Sequence, residues 1–328
     1  MGYQDQAAAL GAAADAEITA LNASAAALSA QLDDAEASVA ARDATIAQLR
    51  DRIAELENPT PPPVDPAPVD PPPPPGDGRP KLRWAPPQLV NPTTVNVGSA
   101  LPKLDPAKDY ILKLPTDRAI TMPGGLVIEG GRNVVVIGGQ VDVTGSNGVR
   151  RAAYLKNNAG TVHVEGVRFR PVGGDFTEGI DNASPASTVQ IENVHVDGLC
   201  SGTQATNHAD ILQTWNGPRI LRVDGLKGRT NYQAAFLNAH DLNTVSTPVE
   251  GSWELHRCDF ESVNGKYTLW LVPPPGSVRT SQVHCWGPSA GAWKPEMWPG
   301  ILHTKPTEDF TGGAGLGYTT PGYRTAGA

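Results

Sequence analysis

Apolar positions along the chain obey three different rules in succession. Between Ile18 and Leu56 they recur every seven residues. Ile18, Ala25, Leu32, Val39, Ile46 and Ile53 form one series, and Leu21, Leu28, Ala35, Arg42, Leu49 and Leu56 form a second, three residues later. A strict seven-residue repeat keeps one seam turned toward a partner chain and implies a left-handed supercoil. A helix lying on its own domain would show a wider stripe with period 3.6. Twenty alanines and no proline in residues 1–57 add helix propensity. The expectation is a coiled-coil oligomerisation stalk over 1–57, roughly 80 Å long at 1.5 Å per residue. Its seam is Ile18, Leu21, Leu28, Leu32, Val39, Ile46, Leu49, Ile53 and Leu56. Branched residues in the first series with leucine in the second favour two strands, but the alanines and Arg42 in the seam weaken that preference.

The pattern then stops. Residues 58–78 read NPTPPPVDPAPVDPPPPPGDG, with eleven prolines between Pro59 and Pro75. Such a run supports neither helix nor sheet ladders and is expected as polyproline II, with Pro59 to Pro75 making a semi-rigid spacer of roughly 50 Å inside the linker 58–80. An SH3-type ligand is the sharper reading, but no Arg or Lys lies inside the run. Spacer is preferred.

From about Lys81 the pattern is short and strand-like, and it repeats. NVVVIGGQVDV (133–143), TVHVEGVRFR (161–170), TVQIENVHVDG (188–198), RILRVDGLKGR (219–229), SWELHRCDFES (252–262) and RTSQVHCWG (279–287) align. With Ile137, Val164, Ile191, Val223, Leu255 and Val283 as equivalents, the spacings are 27, 27, 32, 32 and 28 residues. A second short strand precedes each of the later five: AAYLKN, EGIDN, ADILQTW, QAAFLNA and YTLWLV. A fixed strand–turn–strand unit with variable loops predicts a solenoid of stacked repeats. A propeller blade would need about 40–45 residues and four strands. Gly138, Gly139, Gly166, Asn193 and Gly225 fall at the bend after the aligned strand, where a left-handed backbone is expected. The segments 81–120 and 291–328 are expected to cap the two ends.

Composition narrows the class. Gly 35 and Pro 31 among 328 residues are too many for an all-helical protein, and the 39% hydrophobic content is too high for a disordered one. Of the net charge of −8, residues 1–57 hold ten acids against three arginines, so the remainder is nearly neutral. Neither part has the basic stripe that nucleic acid requires. No apolar run of 18 residues predicts a membrane span. The first twenty residues lack the basic and apolar regions of a secretory signal. Cys200, Cys258 and Cys285 are too few for a disulfide scaffold and are expected as small buried hydrophobes.

The repeats resemble right-handed parallel β-helices of the pectate-lyase-like superfamily over about 121–290. The stretch Asn207-His208-Ala209-Asp210-Ile211-Leu212-Gln213 is similar to the His-x-Asp-x-x-Gln segment of many such proteins. The ending GAGLGYTTPGY (313–323) resembles those of minor tail proteins of phages infecting actinobacteria. A stalk, a Pro-rich spacer and a β-helix in series is also a tail-fibre layout. Arginines outnumbering lysines 17 to 9 fit GC-rich coding. The resemblance implies a homotrimer in the virion tail, in contact with other tail proteins and host cell-wall glycan. That is against the dimer preference of the heptads.

Three functions compete: host attachment, glycan cleavage, and a purely structural appendage. Glycoside hydrolysis needs two carboxyl groups flanking the bond, and stacked strands supply such pairs. The alignment puts Lys156, Asp181, Gln213 and Asn238 in one ladder and Glu178 with Asp210 in another. Glu178, Asp210 and the neighbouring His208 are the acid/base candidates. The bland alternative is that these residues cap turns. A lyase would want more cations than Lys156, Lys227 and Lys266, and no Asp-rich calcium loop is present. Seven scattered histidines give no zinc spacing, so neither metal nor cofactor is expected. For glycan binding, His208, Asp210, Gln213 and Trp215 form the candidate groove, since rings supply area and polar groups supply orientation. Core stacking or a subunit interface is the competing role for the tryptophans. Trp293 and Trp298 are expected to cover the last repeat.

Overall fold

The computed structural model describes residues 79–145, 150–202, 208–215, 217–238, 251–263, 269–272, 278–288 and 300–324, together with Gly2 and Ser24. The chain divides into two units, Met1–Pro73 and Pro74–Ala328. Ser24 is helical. The heptad seam, the proline run, Trp293 and Trp298 lie outside the described residues.

Residues 79–324 are all-β where described, and every strand pairing is parallel. One sheet has six strands, paired in the order β4 (Leu126–Glu129), β7 (Arg151–Lys156), β10 (Glu178–Ala183), β12 (Leu212–Thr214), β14 (Ala235–Asn238) and β16 (Leu269–Val272). The last five are the short strands expected from sequence. The other sheet has twelve. Its main path runs through β1 (Thr93–Asn96), β2 (Tyr110–Lys113), β5 (Val134–Ile137), β8 (Thr161–Glu165), β11 (Thr188–Cys200), β13 (Ile220–Thr230), β15 (Ser252–Ser262), β17 (Val278–Trp286) and β18 (Ile301–Leu302). Beside it lie β3 (Ile120–Pro123), β6 (Gln140–Thr144) and β9 (Arg168–Pro171), the last pairing with the second half of β11. The chain thus visits both sheets in the same order again and again.

Alternation explains why these strands form. In the six-stranded sheet Leu126, Ala153, Ile180, Leu212, Ala235 and Leu269 are in register and buried. In the larger sheet Val136, Val164, Ile191, Val223 and Leu255 do the same. Both sets belong to one hydrophobic cluster. Two expected equivalences shift. Val164 pairs with Val136 rather than Ile137, because Val136 is 0% exposed and Ile137, pointing away, is 36% exposed. Leu255 pairs with Thr280, and Val283 pairs with Cys258, so the last repeat is shorter than its predecessors. The three cysteines are buried.

The bends carry left-handed backbone at all five expected positions: Gly138, Gly139, Gly166, Asn193 and Gly225. The same column continues through Arg257 (φ 43°) and Gln282 (φ 52°), which residue type did not announce. Arg257 is held there by Asp224, whose Oδ1 is 2.5 Å from Arg257 Nε.

Parts of the expected end caps lie elsewhere. β1 and β18 do stand at the two edges of the larger sheet. Residues 79–85 and 309–324, however, run across its face. Leu82 N–H donates to Gly322 O and Arg324 N–H to Leu82 O, both at 2.9 Å. Beneath them stands the column Glu165, Glu192 and Asp224, in register and buried. The N–H groups of Arg83 and Trp84 donate to Glu192, each at 2.9 Å. Tyr318 and Tyr323 hydroxyls donate to Glu165 at 3.0 and 2.7 Å. Burial would raise the Glu165 carboxyl, but donation from His163 and Tyr323 holds it below its ordinary value. Burial, then the Asp224 charge, pushes Glu192 up to about 8.

The corner column generates a pair of opposite predictions. A Cβ at Gly225 (φ +82°) would stand 2.4 Å from the Phe310 carbonyl oxygen. Gly225→Ala is expected to lower stability by about 1–3 kcal/mol. At exposed Gln282, Gln282→Gly relieves the left-handed strain and is expected to raise stability by up to about 1 kcal/mol. Thermal and urea denaturation read both signs; two changes in the same direction would contradict the corner assignment.

Candidate functional site

The predicted site residues gather around β12 and the start of β10. His208 and Asp210 precede β12, Gln213 lies within it, and Trp215 follows it, its N–H donating to Asn182 O at 2.8 Å. His208 stacks on Trp215 (centroids 6.1 Å, planes 14° apart) and on Tyr232 (5.7 Å, 19°). Phe236 meets His208 edge-on at 6.4 Å and Trp215 at 5.9 Å. All four rings are half-buried, so each keeps some face in solvent. The competing role for tryptophan is taken by Trp253, fully buried with its indole N–H on Pro218 O at 2.9 Å.

Polar groups tie the rings to the sheet. In the orientation that satisfies both neighbours, the Gln213 amide nitrogen donates to Asp210 Oδ2 at 3.0 Å. Its oxygen then accepts from Trp215 Nε1 at 2.5 Å. Asp210 and Gln213 are buried, whereas Glu178 is half-buried. Strand register sets Gln213 opposite Asp181. Lys156 pairs instead with Ala183, and Gln213 with Phe236 rather than Asn238, so the ladder proposed from sequence holds only at its centre.

The corrected register brings in a residue that the alignment passed over. Arg151 stands opposite Glu178, ion-pairs with it, and places its Nε 2.7 Å from Asp181 Oδ2. Aligning Lys156 with Asp181, two positions out, hid this partner. Tyr232 and Phe236 were also missed, since they come from the following repeat and carry no local motif.

Electrostatically the site is unusual for the chain. Burial first, then the Glu178 charge, raises both the Asp181 and Asp210 carboxyls well above the usual carboxylate range. Among the described residues their Oδ1 atoms have no hydrogen-bond partner. Asp109 shows the contrast. Arg132 donates to it from two nitrogens at 2.7 and 2.9 Å and holds it well below its ordinary value. Arg151 thus pairs with Glu178 beside two carboxyls that hold their protons more tightly than usual. Chemically, this set can donate a proton from a buried acid and stack a ring-shaped ligand beside it. Among the described residues no group of three His, Cys, Asp or Glu is arranged to hold a metal ion.

In comparison with known proteins, the chain matches no family model, no curated protein and no solved structure. The reading of this site rests on its own geometry.

The buried acid gives a pH prediction. The folded chain keeps the Asp210 proton to higher pH than the unfolded chain does. That contribution to stability is present in acid and lost as pH rises out of the carboxylate range. Asp210→Asn is expected to be more stable than wild type near neutrality, with the advantage vanishing toward about pH 4. Urea denaturation across pH reads it; a difference independent of pH would remove the neutral-acid assignment.

Proposed function

We propose that this chain is a tail appendage of a phage infecting actinobacteria, which uses a right-handed parallel β-helix to recognise host cell-wall glycan. Residues 1–57 join three copies through the heptad seam, and 58–80 space the stalk from the recognition body. The observation that carries the reading is the half-exposed cluster His208, Trp215, Tyr232 and Phe236, fixed by Gln213 and Asp210. Stacked rings offer the C–H face of a pyranose a large apolar area at little cost in entropy. Parallel pairing between successive repeats supports the β-helix, since a ligand groove along such a body can span several of them.

A second reading is favoured by a separate observation. Two buried aspartates that hold their protons more tightly than usual, beside the Glu178 carboxyl, offer an acid and a base to one place, as glycoside hydrolysis requires. Asp210 would then be the acid and Glu178 the base or nucleophile.

Binding and release of host-envelope polysaccharide test both. Trp215→Ala is expected to weaken binding tenfold or more, about 1.4 kcal/mol. Under attachment alone, Asp210→Asn leaves binding intact and no fragments appear with either protein. Under hydrolysis, wild type releases fragments and Asp210→Asn stops the release. Binding unaffected by Trp215→Ala would sink the ring-cluster reading. Light scattering on the purified full chain is expected to give three times 34.5 kDa; a monomer would remove the stalk.

A further inference from the structure

The twelve-stranded sheet carries a cavity of about 270 Å³ that shares no lining residue with the ring cluster. We propose that this cavity is a second ligand site, built for an uncharged saccharide of one or two sugar units. The proposal stands without the preceding one, because it uses different residues on a different sheet.

Strand register builds the cavity. His195, Lys227 and Asp259 lie opposite one another in β11, β13 and β15. Two positions on, Arg229 faces Glu261, and Glu261 faces Trp286 of β17. Between these rows β11 slips: the step from His195 to Leu199 opposes the step from Lys227 to Arg229. The extra residues leave the ladder, and Asp197 and Gly198 become part of the cavity wall. A bulge of this kind re-aims side chains and opens space that a regular ladder would close.

The chemistry of the walls selects the ligand. Lys227 Nζ is 3.6 Å from Asp259 Oδ2, and Arg229 Nε is 3.3 Å from Glu261 Oε1. Asp197 accepts from Arg168 Nε at 3.0 Å, and the Lys305 ammonium stands 5.2 Å from the Trp286 ring centroid. Three lining cations (Lys227, Arg229, Lys305) thus face three lining carboxylates (Asp197, Asp259, Glu261). Burial lowers the His195 imidazole toward its neutral form. With as many cations as carboxylates in the lining, a charged ligand would lose hydration and gain little net attraction. A ligand rich in hydroxyls can bridge donors and acceptors that stand side by side. The Trp286 indole N–H donates to Asp259 Oδ1 at 2.7 Å, which fixes the ring plane for stacking. An oriented aromatic among convergent polar groups is the arrangement that sugar rings use.

The test takes the full chain and five disaccharides. Maltose, cellobiose and N,N′-diacetylchitobiose are the neutral probes, digalacturonate the anionic and diglucosamine the cationic one. Calorimetry and saturation-transfer NMR read binding. At least one neutral disaccharide is expected to bind. Trp286→Ala and Asp259→Asn are each expected to weaken it tenfold or more, while Trp215→Ala leaves it unchanged. Arg229→Ala truncates a half-exposed side chain and is expected to weaken binding severalfold in a protein that still folds. Failure of every neutral probe up to about 10 mM overturns the proposal. So does tighter binding of either charged probe, or binding that survives both Trp286→Ala and Arg229→Ala. Loss in Trp215→Ala with retention in Trp286→Ala assigns the sugar to the ring cluster and overturns it equally.

Discussion

Parallel strands paired in register bring equivalent side chains of successive repeats to within about 4.8 Å. Whatever charge one repeat carries is therefore met by its counterpart above and below. Glu165, Glu192 and Asp224 form such a column, and they are buried, where mutual repulsion is least screened. The column is tolerated because its oxygens meet donors from outside the repeats: two backbone N–H groups at Arg83 and Trp84, and the hydroxyls of Tyr318 and Tyr323. Arg257, from the neighbouring strand, answers Asp224. The two crossing segments are thus a condition of the stack.

That dependence accounts for what the sequence could and could not disclose. Alternation along each strand, and glycine or asparagine at each bend, exposed the repeat and most of its left-handed corners. Arg257 and Gln282 occupy the same corner without a permissive side chain; tertiary contact fixes Arg257, and no local signal reports that. No sequence pattern singled out the Glu165 column, since nothing in residues 79–85 or 309–324 is periodic. At the ring cluster, His208 and Trp215 were legible because they flank one short strand. Arg151, Tyr232 and Phe236 come from adjacent repeats and needed the true register. The cavity beside Trp286 was hidden for a further reason: it exists only where β11 departs from the pattern that alignment assumes.

The two polar sites illustrate how one architecture produces different chemistry. Around Trp286 the lining cations and carboxylates are equal in number, and Lys227 and Arg229 each have a carboxylate of their own. Around Asp210 a single guanidinium serves Glu178 and Asp181, leaving more carboxyl groups than cations in a buried place. Desolvation then dominates, and both aspartates hold their protons to higher pH than usual. The first environment suits recognition of hydroxyl groups; the second can also move a proton.

The route by which the chain enters its repeated body has a mechanical side. Arg79 to Ala85 does not feed straight into an edge strand; it lies over the middle of the larger sheet, alongside the outgoing segment at Gly322 to Arg324. Tension applied at Arg79 is received by Glu192 of β11 and by Gly312, Thr319 and Gly322 before it reaches β1. Load is spread over interior strands and the outgoing segment, and the weakest strand, at the edge, is spared from being peeled away first.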